Sequence, residues 1–406
     1  MVLEKEQAKR PLEGVKVLEF GSFIAGPFCS RLLADFGAEV IKVELPLHGD
    51  ALRNWGSAKY EGKSLWWPIQ ARNKKCITLN LKQKEGQAIV KRLVKEVDIV
   101  VENFRPGTME KWGIGYQDLK QINPSIIMVR ISGFGQTGPY KDRAGFGSVG
   151  EAMGGIRHVT GYPDRPPTRI GVSIGDSLAG MFGVIGALMA LHHRDHSENR
   201  AGQLVDTALY ESVFAVMESS LTEYMKLGVT RERTGTSLPG VAPSNNYPTK
   251  SGKWIVIGAN ADNIFQRLAK VMDREELASD ARFMNHNARG ENQKELDEMI
   301  AAWTVNYELE ELTEKLNNAG VPAGGIYTAE DISRDMHYQM RDMILKMTDK
   351  QLGDIHMPGI VPKLSETPGK VAWTGPELGE HNDEIYKGWL HFSEEEYATF
   401  QEKGII

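Results

Sequence analysis

In RIGVSIGDSLAGMFGVIGALMALHH, residues 169–193, one carboxylate, Asp176, stands ahead of the apolar run from Leu178 to Leu191. An aspartate is ionised at neutral pH, so it can attack an acyl carbon without a metal or an activating base. Placed at or just before the first turn of a helix, it also suits capping, accepting backbone N–H groups at the positive end of the helix dipole. Both readings are open from the local sequence. Gly180, Gly183, Ala187 and Ala190 fall on one helical face and would let another backbone approach closely. The uncharged run is shorter than the roughly 20 residues a bilayer requires, so a buried helix and no membrane span are expected.

Alternating strand and helix patterns surround this segment. GVKVLEFGSFIAGPFCSRLLADFGAEVIKVE holds an apolar run at Val15–Phe20, a helix with Pro27 near its start and Gly37 at its end, and a second run at Glu39–Glu44. KCITLNL, the helical KEGQAIVKRLVKEV, DIVVEN and SIIMVRISGFG repeat the alternation, which predicts a doubly wound α/β domain on a parallel sheet. The first strand–helix turn, GSFIAGP, lacks the G-x-G-x-x-G spacing, and this argues against a dinucleotide. The boundaries expected are 1–224 for the large domain, 225–330 for a smaller α+β domain, and 331–406 for a C-terminal segment returning to the large one. The small domain should open with a hairpin at Ser251–Gly252, then carry helices near 262–273 and 291–318.

Composition narrows the function classes. The 406 residues carry 48 Lys and Arg against 54 Asp and Glu, a net charge of −6, which argues against nucleic-acid binding. Seven bases lie between Arg72 and Arg92 against one acid, Glu85; most are expected to form a solvated face, with a small phosphorylated ligand as the exception. Cys29 and Cys76 supply neither a disulfide framework nor a metal-ligand spacing, so no metal is expected. MVLEKEQAKRPLEG lacks the apolar stretch of a signal peptide, and a cytoplasmic enzyme is expected.

AGPFCSRLLADFGAEVIKVE, NKKCITLNL, VENFRPGTMEKWG, GFGQTGPY, the Gly175–Asp176 pair and LGEH at 378–381 occur here in one order. In these motifs the chain resembles the class III CoA-transferase family, the formyl-CoA:oxalate and carnitine enzymes among them, over nearly its whole length. The resemblance implies that Asp176 is the nucleophile, passing through a mixed anhydride and an aspartyl-CoA thioester. It implies CoA contacts at Leu79, Lys82, Asn103, Phe104 and Lys111, coenzyme A thioesters as substrates with no permanently bound cofactor, and an interlocked homodimer. A hetero-oligomer with a related chain is the alternative assembly.

Several segments look closest to relatives that use succinyl-CoA and pass CoA to a dicarboxylate such as malate or a substituted succinate. Arg53, Arg143 and Arg169 are then candidates for pairing the second carboxylate. Relative to the formyl-CoA enzyme, Ile24, Leu45 and Gly147 replace a glutamine, an arginine and a glutamate of the site, which argues against oxalate and formate. The competing activity is α-methylacyl-CoA racemisation. Phe146 stands in DRAGFGSV where those enzymes place a histidine, and a phenyl ring transfers no proton. His158 lies outside that motif, with a surface or core role expected.

Overall fold

The computed structural model describes residues 9–406; the first eight, on which part of the signal-peptide expectation falls, lie outside the described residues. The chain divides into two compact units, one holding residues up to 156 with Ile170–Thr222 and Gln339–Ile406, the other Arg157–Arg169 and Glu223–Tyr338. Residues 157–169, which sequence patterning leaves in the first 224, are tied to the second unit by hydrogen bonds. The Gly235 N–H donates to Gly161 O, and Arg233 to His158 O.

The first unit is a mixed α/β fold on a parallel sheet. Its elements are β1 (Lys16–Glu19), α1 (Ala25–Asp35), β2 (Glu39–Glu44), β3 (Lys74–Thr78), α2 (Lys84–Leu93), β4 (Ile99–Glu102), β5 (Ile127–Ser132), α3 (Gly147–Met153), α4 (Ile174–His196), β6 (Leu204–Ala208) and α5 (Leu209–Phe214). The six strands lie in the order β3-β2-β1-β4-β5-β6, all parallel. Parallel strands buried on both faces read as continuous apolar runs, which is why five of them are legible in the sequence. Alternate residues serve opposite layers: Leu18, Ile41 and Val100 pack with α2, whereas Val17, Val40 and Val101 pack with α1 and α4.

The helix that carries Asp176 runs from Ile174 to His196, 23 residues, longer than the uncharged run suggests. Among the described residues it is the one helix long and apolar enough to cross a bilayer by length and composition. Here its small-residue face is covered by protein. A Cβ on Gly180 would meet Ala25 O at 3.0 Å, and one on Gly183 would meet Cys29 Sγ at 3.2 Å. The expected close approach is therefore that of α1.

The open edge at β3 is closed by the C-terminal segment. Asn382 accepts from the Thr78 N–H at 2.9 Å, His381 Nδ1 accepts from the Cys76 N–H at 3.2 Å, and Ile405 O accepts from the Asn80 N–H at 2.7 Å. LGEH is thus an edge-sealing motif.

In the second unit β7 (Ser244–Pro248) and β8 (Trp254–Gly258) form an antiparallel hairpin turning at the expected Gly252, φ +78°. Helices α6 (Asp262–Val271), α7 (Gln293–Thr304) and α8 (Leu309–Asn318) follow, and β9 (Ala323–Gly325) pairs with β8. The single helix expected at 291–318 is broken in two, α8 starting afresh after Glu308.

Candidate active site

Asp176 lies in the first turn of α4, but it is not the cap. Ser173 occupies that position, and no side chain bonds to the cap. Among the described residues no donor hydrogen-bonds the Asp176 carboxylate. The group is held mainly by shape: a Cβ on Gly147, the first residue of α3, would sit 2.2 Å from its Oδ2. One turn later on α3, Glu151 is buried, its Cγ only 3.1 Å from where a Gly175 Cβ would stand. Burial, and after it the Glu151 charge, push the Asp176 carboxyl up to about 6.

A crevice of about 310 Å³ opens at the carboxyl ends of β1, β2, β3 and β4. It lies where the strand order reverses between β1 and β4, the usual ligand position in an open parallel sheet. Leu79, Lys82 and Phe104 line it together with Leu45 and Trp112, of which Trp112 went unnoticed in the sequence. Lys82 is exposed at the mouth. Lys111 is exposed as well but does not line the crevice. A larger hollow, about 580 Å³ beside Trp67 and Trp373, includes only Arg53 of the candidate residues.

Asn103 is committed to backbone: its Oδ1 accepts from the Ser22 N–H and its Nδ2 donates to Ser22 O, both at 2.8 Å. Lys42 donates to Gly21 O at 2.8 Å, and Asp50 accepts from the Phe23 N–H at 3.2 Å. Three side chains thus grip Gly21–Phe23, where Phe23 takes φ +62°. This turn lines the crevice and leads into Ala25, whose carbonyl touches α4 at Gly180, one turn beyond Asp176. Crevice and carboxylate therefore flank one rigid β1–α1 junction.

Lys42 and Asp50 belong to a buried ionic cluster. Lys42 pairs with Glu19 and with Asp50 at 2.8 Å, and Lys74 pairs with Glu19 at 2.7 Å. Burial alone would raise the Glu19 carboxyl, but the two ammonium groups hold it down at about 2. A lysine at the centre of the buried strand EVIKVE, flanked by Val and Ile, is the signal that could have revealed this cluster, because a buried ammonium requires partners.

The basic run at 72–92 is mostly spent on such pairs. Arg72 binds Asp35 at 2.6 Å, Lys74 binds Glu19, Lys75 binds Glu39 and Glu384 at 2.5 Å, and Arg92 binds Glu396 at 3.3 Å. Its reading as a phosphate patch contracts to Lys82 beside the crevice. Burial, and next to it Glu19, push the Cys29 thiol up to about 12, and Cys76 is buried too, so both are inert. His158 is half-exposed and pairs with Glu232 at 3.3 Å, away from any catalytic geometry within its unit. Ile24 is buried at the start of α1, and Phe146 is 56% exposed just before Gly147.

A parallel sheet with a crevice at its switch point, and a carboxylate on a helix first turn without a hydrogen-bond donor among the described residues, is the architecture of an α/β protein that handles acyl or nucleotide ligands. Residues 12–382 match the family described as CoA-transferase family III, and the chain belongs to it. It is 58% identical over 404 residues, covering both chains fully, to the succinyl-CoA–D-citramalate CoA-transferase of Chloroflexus aurantiacus. It is 40% identical, over 98% of each chain, to the succinyl-CoA–L-malate CoA-transferase beta subunit of the same organism. Among solved structures it resembles a CAIB/BAIF family protein from Brucella suis, with a TM-score of 0.82, 35% identity, and coverage of 93% of this chain and 98% of that one.

Proposed function

We propose that the protein transfers CoA from succinyl-CoA to a dicarboxylic acid of the citramalate or malate kind, with Asp176 as nucleophile. The observation that carries this reading is the Asp176 carboxylate itself: partly buried, without a hydrogen-bond donor among the described residues, and packed against Gly147, whose lack of a side chain leaves it room. The kinship with succinyl-CoA-using relatives supports the substrate class.

An Asp176 oxygen attacks the thioester carbon, the C–S bond breaks, and CoA leaves as thiolate from a mixed anhydride. The thiolate attacks the aspartyl carbonyl, releasing the donor carboxylate and leaving an aspartyl-CoA thioester. The acceptor carboxylate attacks that thioester and expels the thiolate again. Return of the thiolate to the acceptor acyl carbon yields the product and restores Asp176. No proton is consumed, so neither a metal nor a permanent cofactor is required by the chemistry. The N–H groups of Gly175 and Asp176, in a first turn that has no intrahelical acceptors for them, suit the oxyanion of each attack.

In this reading CoA occupies the crevice against Leu79 and Phe104, with Lys82 at a phosphate and Lys111 reaching it from outside, while Asn103 acts by shaping the Gly21–Phe23 turn. We infer a homodimer as well. Met181, Ile185, Leu188 and Met189 form an exposed stripe on α4, at a spacing suited to a partner's apolar surface. The inert, unpaired cysteines fit a cytoplasmic setting.

The test is incubation with succinyl-CoA and a panel of dicarboxylates, followed by hydroxylamine or borohydride trapping and peptide mapping. Acceptor-CoA formation with modification at Asp176 is expected. Transfer at the normal rate by Asp176→Asn overturns the mechanism.

A further inference from the structure

The three arginines considered for a second carboxylate stand in different surroundings. Arg53 is occupied: Nε and Nη2 each bind Glu44 at 2.7 Å, Nη1 donates to Pro376 O at 3.1 Å, and its guanidinium stacks 3.7 Å over Trp67. Arg169 belongs to the second unit. Arg143 is exposed, and among the described residues it has no carboxylate partner. Its guanidinium lies 3.5 Å over the Tyr140 ring, and Tyr140 in turn packs edge-on to Phe134 at 6.2 Å. Stacking covers the face of the guanidinium and leaves its in-plane N–H edge for a ligand.

The loop carrying Arg143 is anchored at both sides of the site. Gly133 and Gly145 touch, a Cβ on either falling 2.5 or 2.4 Å from the other's Cα, so residues 134–144 close into a loop at the carboxyl end of β5. Beyond Gly145 the chain reaches Gly147, against the Asp176 carboxylate. On the other side Arg105 Nη2 donates to Asp142 O at 2.8 Å, and Arg105 directly follows Phe104 of the crevice. Arg143 adjoins Asp142, so it is tied between the crevice and the carboxylate. An acyl group joined to CoA and attacked by Asp176 must cross that interval.

We propose that Arg143 binds the far carboxylate of the acyl group and thereby sets the preference for dicarboxylic over monocarboxylic acids. The assignment rests on Asp176 being the nucleophile in a dicarboxylate exchange. A guanidinium receives a carboxylate through two parallel hydrogen bonds, a geometry that an ammonium cannot copy.

The experiment compares wild type, Arg143→Gln and Arg143→Lys in isotopic exchange between succinyl-CoA and labelled succinate, and between butyryl-CoA and labelled butyrate. These pairs differ chiefly in the far carboxylate. In Arg143→Gln the succinate KM should rise about 100-fold with kcat changed less than threefold, a loss that converts to about 2.7 kcal/mol. Arg143→Lys should recover only part of it. Butyryl exchange should stay within threefold of wild type, and borohydride trapping at Asp176 by saturating succinyl-CoA should persist. Equal loss for both acids, or an unchanged succinate KM, overturns the role of Arg143 while leaving the nucleophile intact. Absence of exchange and of Asp176 trapping in the wild type overturns the functional reading, and this assignment with it.

Discussion

Gly147 and Asp176 meet so closely that even a methyl group on the glycine would stand 2.2 Å from Oδ2 of the aspartate. The atom in the way is the end of a flexible side chain, so a substitution there would displace the carboxylate and leave the backbone in place. Gly147→Ala should therefore keep its melting temperature within a few degrees while kcat falls by 10-fold or more. Steady-state kinetics beside a thermal melt would check this; full activity would mean that the carboxylate does not need its place against Gly147.

Activity should depend on pH through Asp176. Its carboxyl is pushed up to about 6 by burial first and the Glu151 charge second, and only the ionised form attacks. The rate of the free enzyme should fall about tenfold per pH unit below that value. Glu151→Gln removes the neighbouring charge and should move the acidic limb to lower pH. A limb that stays where it is would assign it to another group.

Asp176→Asn should abolish transfer and stabilise the fold at neutral pH. Well below pH 3.8 the carboxyl is protonated both folded and unfolded, so it has no effect. As pH rises through the window from 3.8 to about 6, ionisation favours the unfolded chain, by roughly 3 kcal/mol once complete. Denaturant melts at pH 8 and near pH 2.5 should show the Asn variant more stable at the first and equal to wild type at the second. Equal stability at both would contradict the burial of a charged nucleophile.

The grip on Gly21–Phe23 is open to a graded test. Lys42→Met leaves Glu19 and Asp50 short of a cation in a buried cluster, and should destabilise the fold by about 3–5 kcal/mol. Asn103→Ala removes two hydrogen bonds to Ser22 and should be milder, about 1–3 kcal/mol, with KM for acyl-CoA raised more than kcat is lowered. Urea melts and KM measurements separate the two variants. An unchanged KM in Asn103→Ala would show that the turn does not shape the crevice.

Five of the six sheet strands, the α1 helix with its Pro27 start and Gly37 stop, and the position of Asp176 near the start of a glycine-lined helix are legible along the chain. These are local properties: a strand buried on both faces must be apolar, and helix ends need particular residues. The strand β6 is not legible, because in LVDTALYESVF a strand and a helix adjoin with no turn residue to mark the change. The same locality misread the basic run at 72–92, since the acids that neutralise it come from Glu19, Asp35, Glu39, Glu384 and Glu396.

By itself the sequence determined the family and the parallel sheet, and it put Asp176 forward as the nucleophile proposed above. Tertiary structure alone decided that Asp176 is free of its helix cap, that Gly147 and Glu151 flank it, and that Asn103 grips a turn. It also separated Arg53, bound to Glu44 and to a carbonyl 323 residues away, from Arg143, which stacks on Tyr140 and has no carboxylate partner among the described residues. The physical reason is that a charged side chain's role is set by what neutralises it, and in a wound sheet those partners arrive from distant parts of the chain.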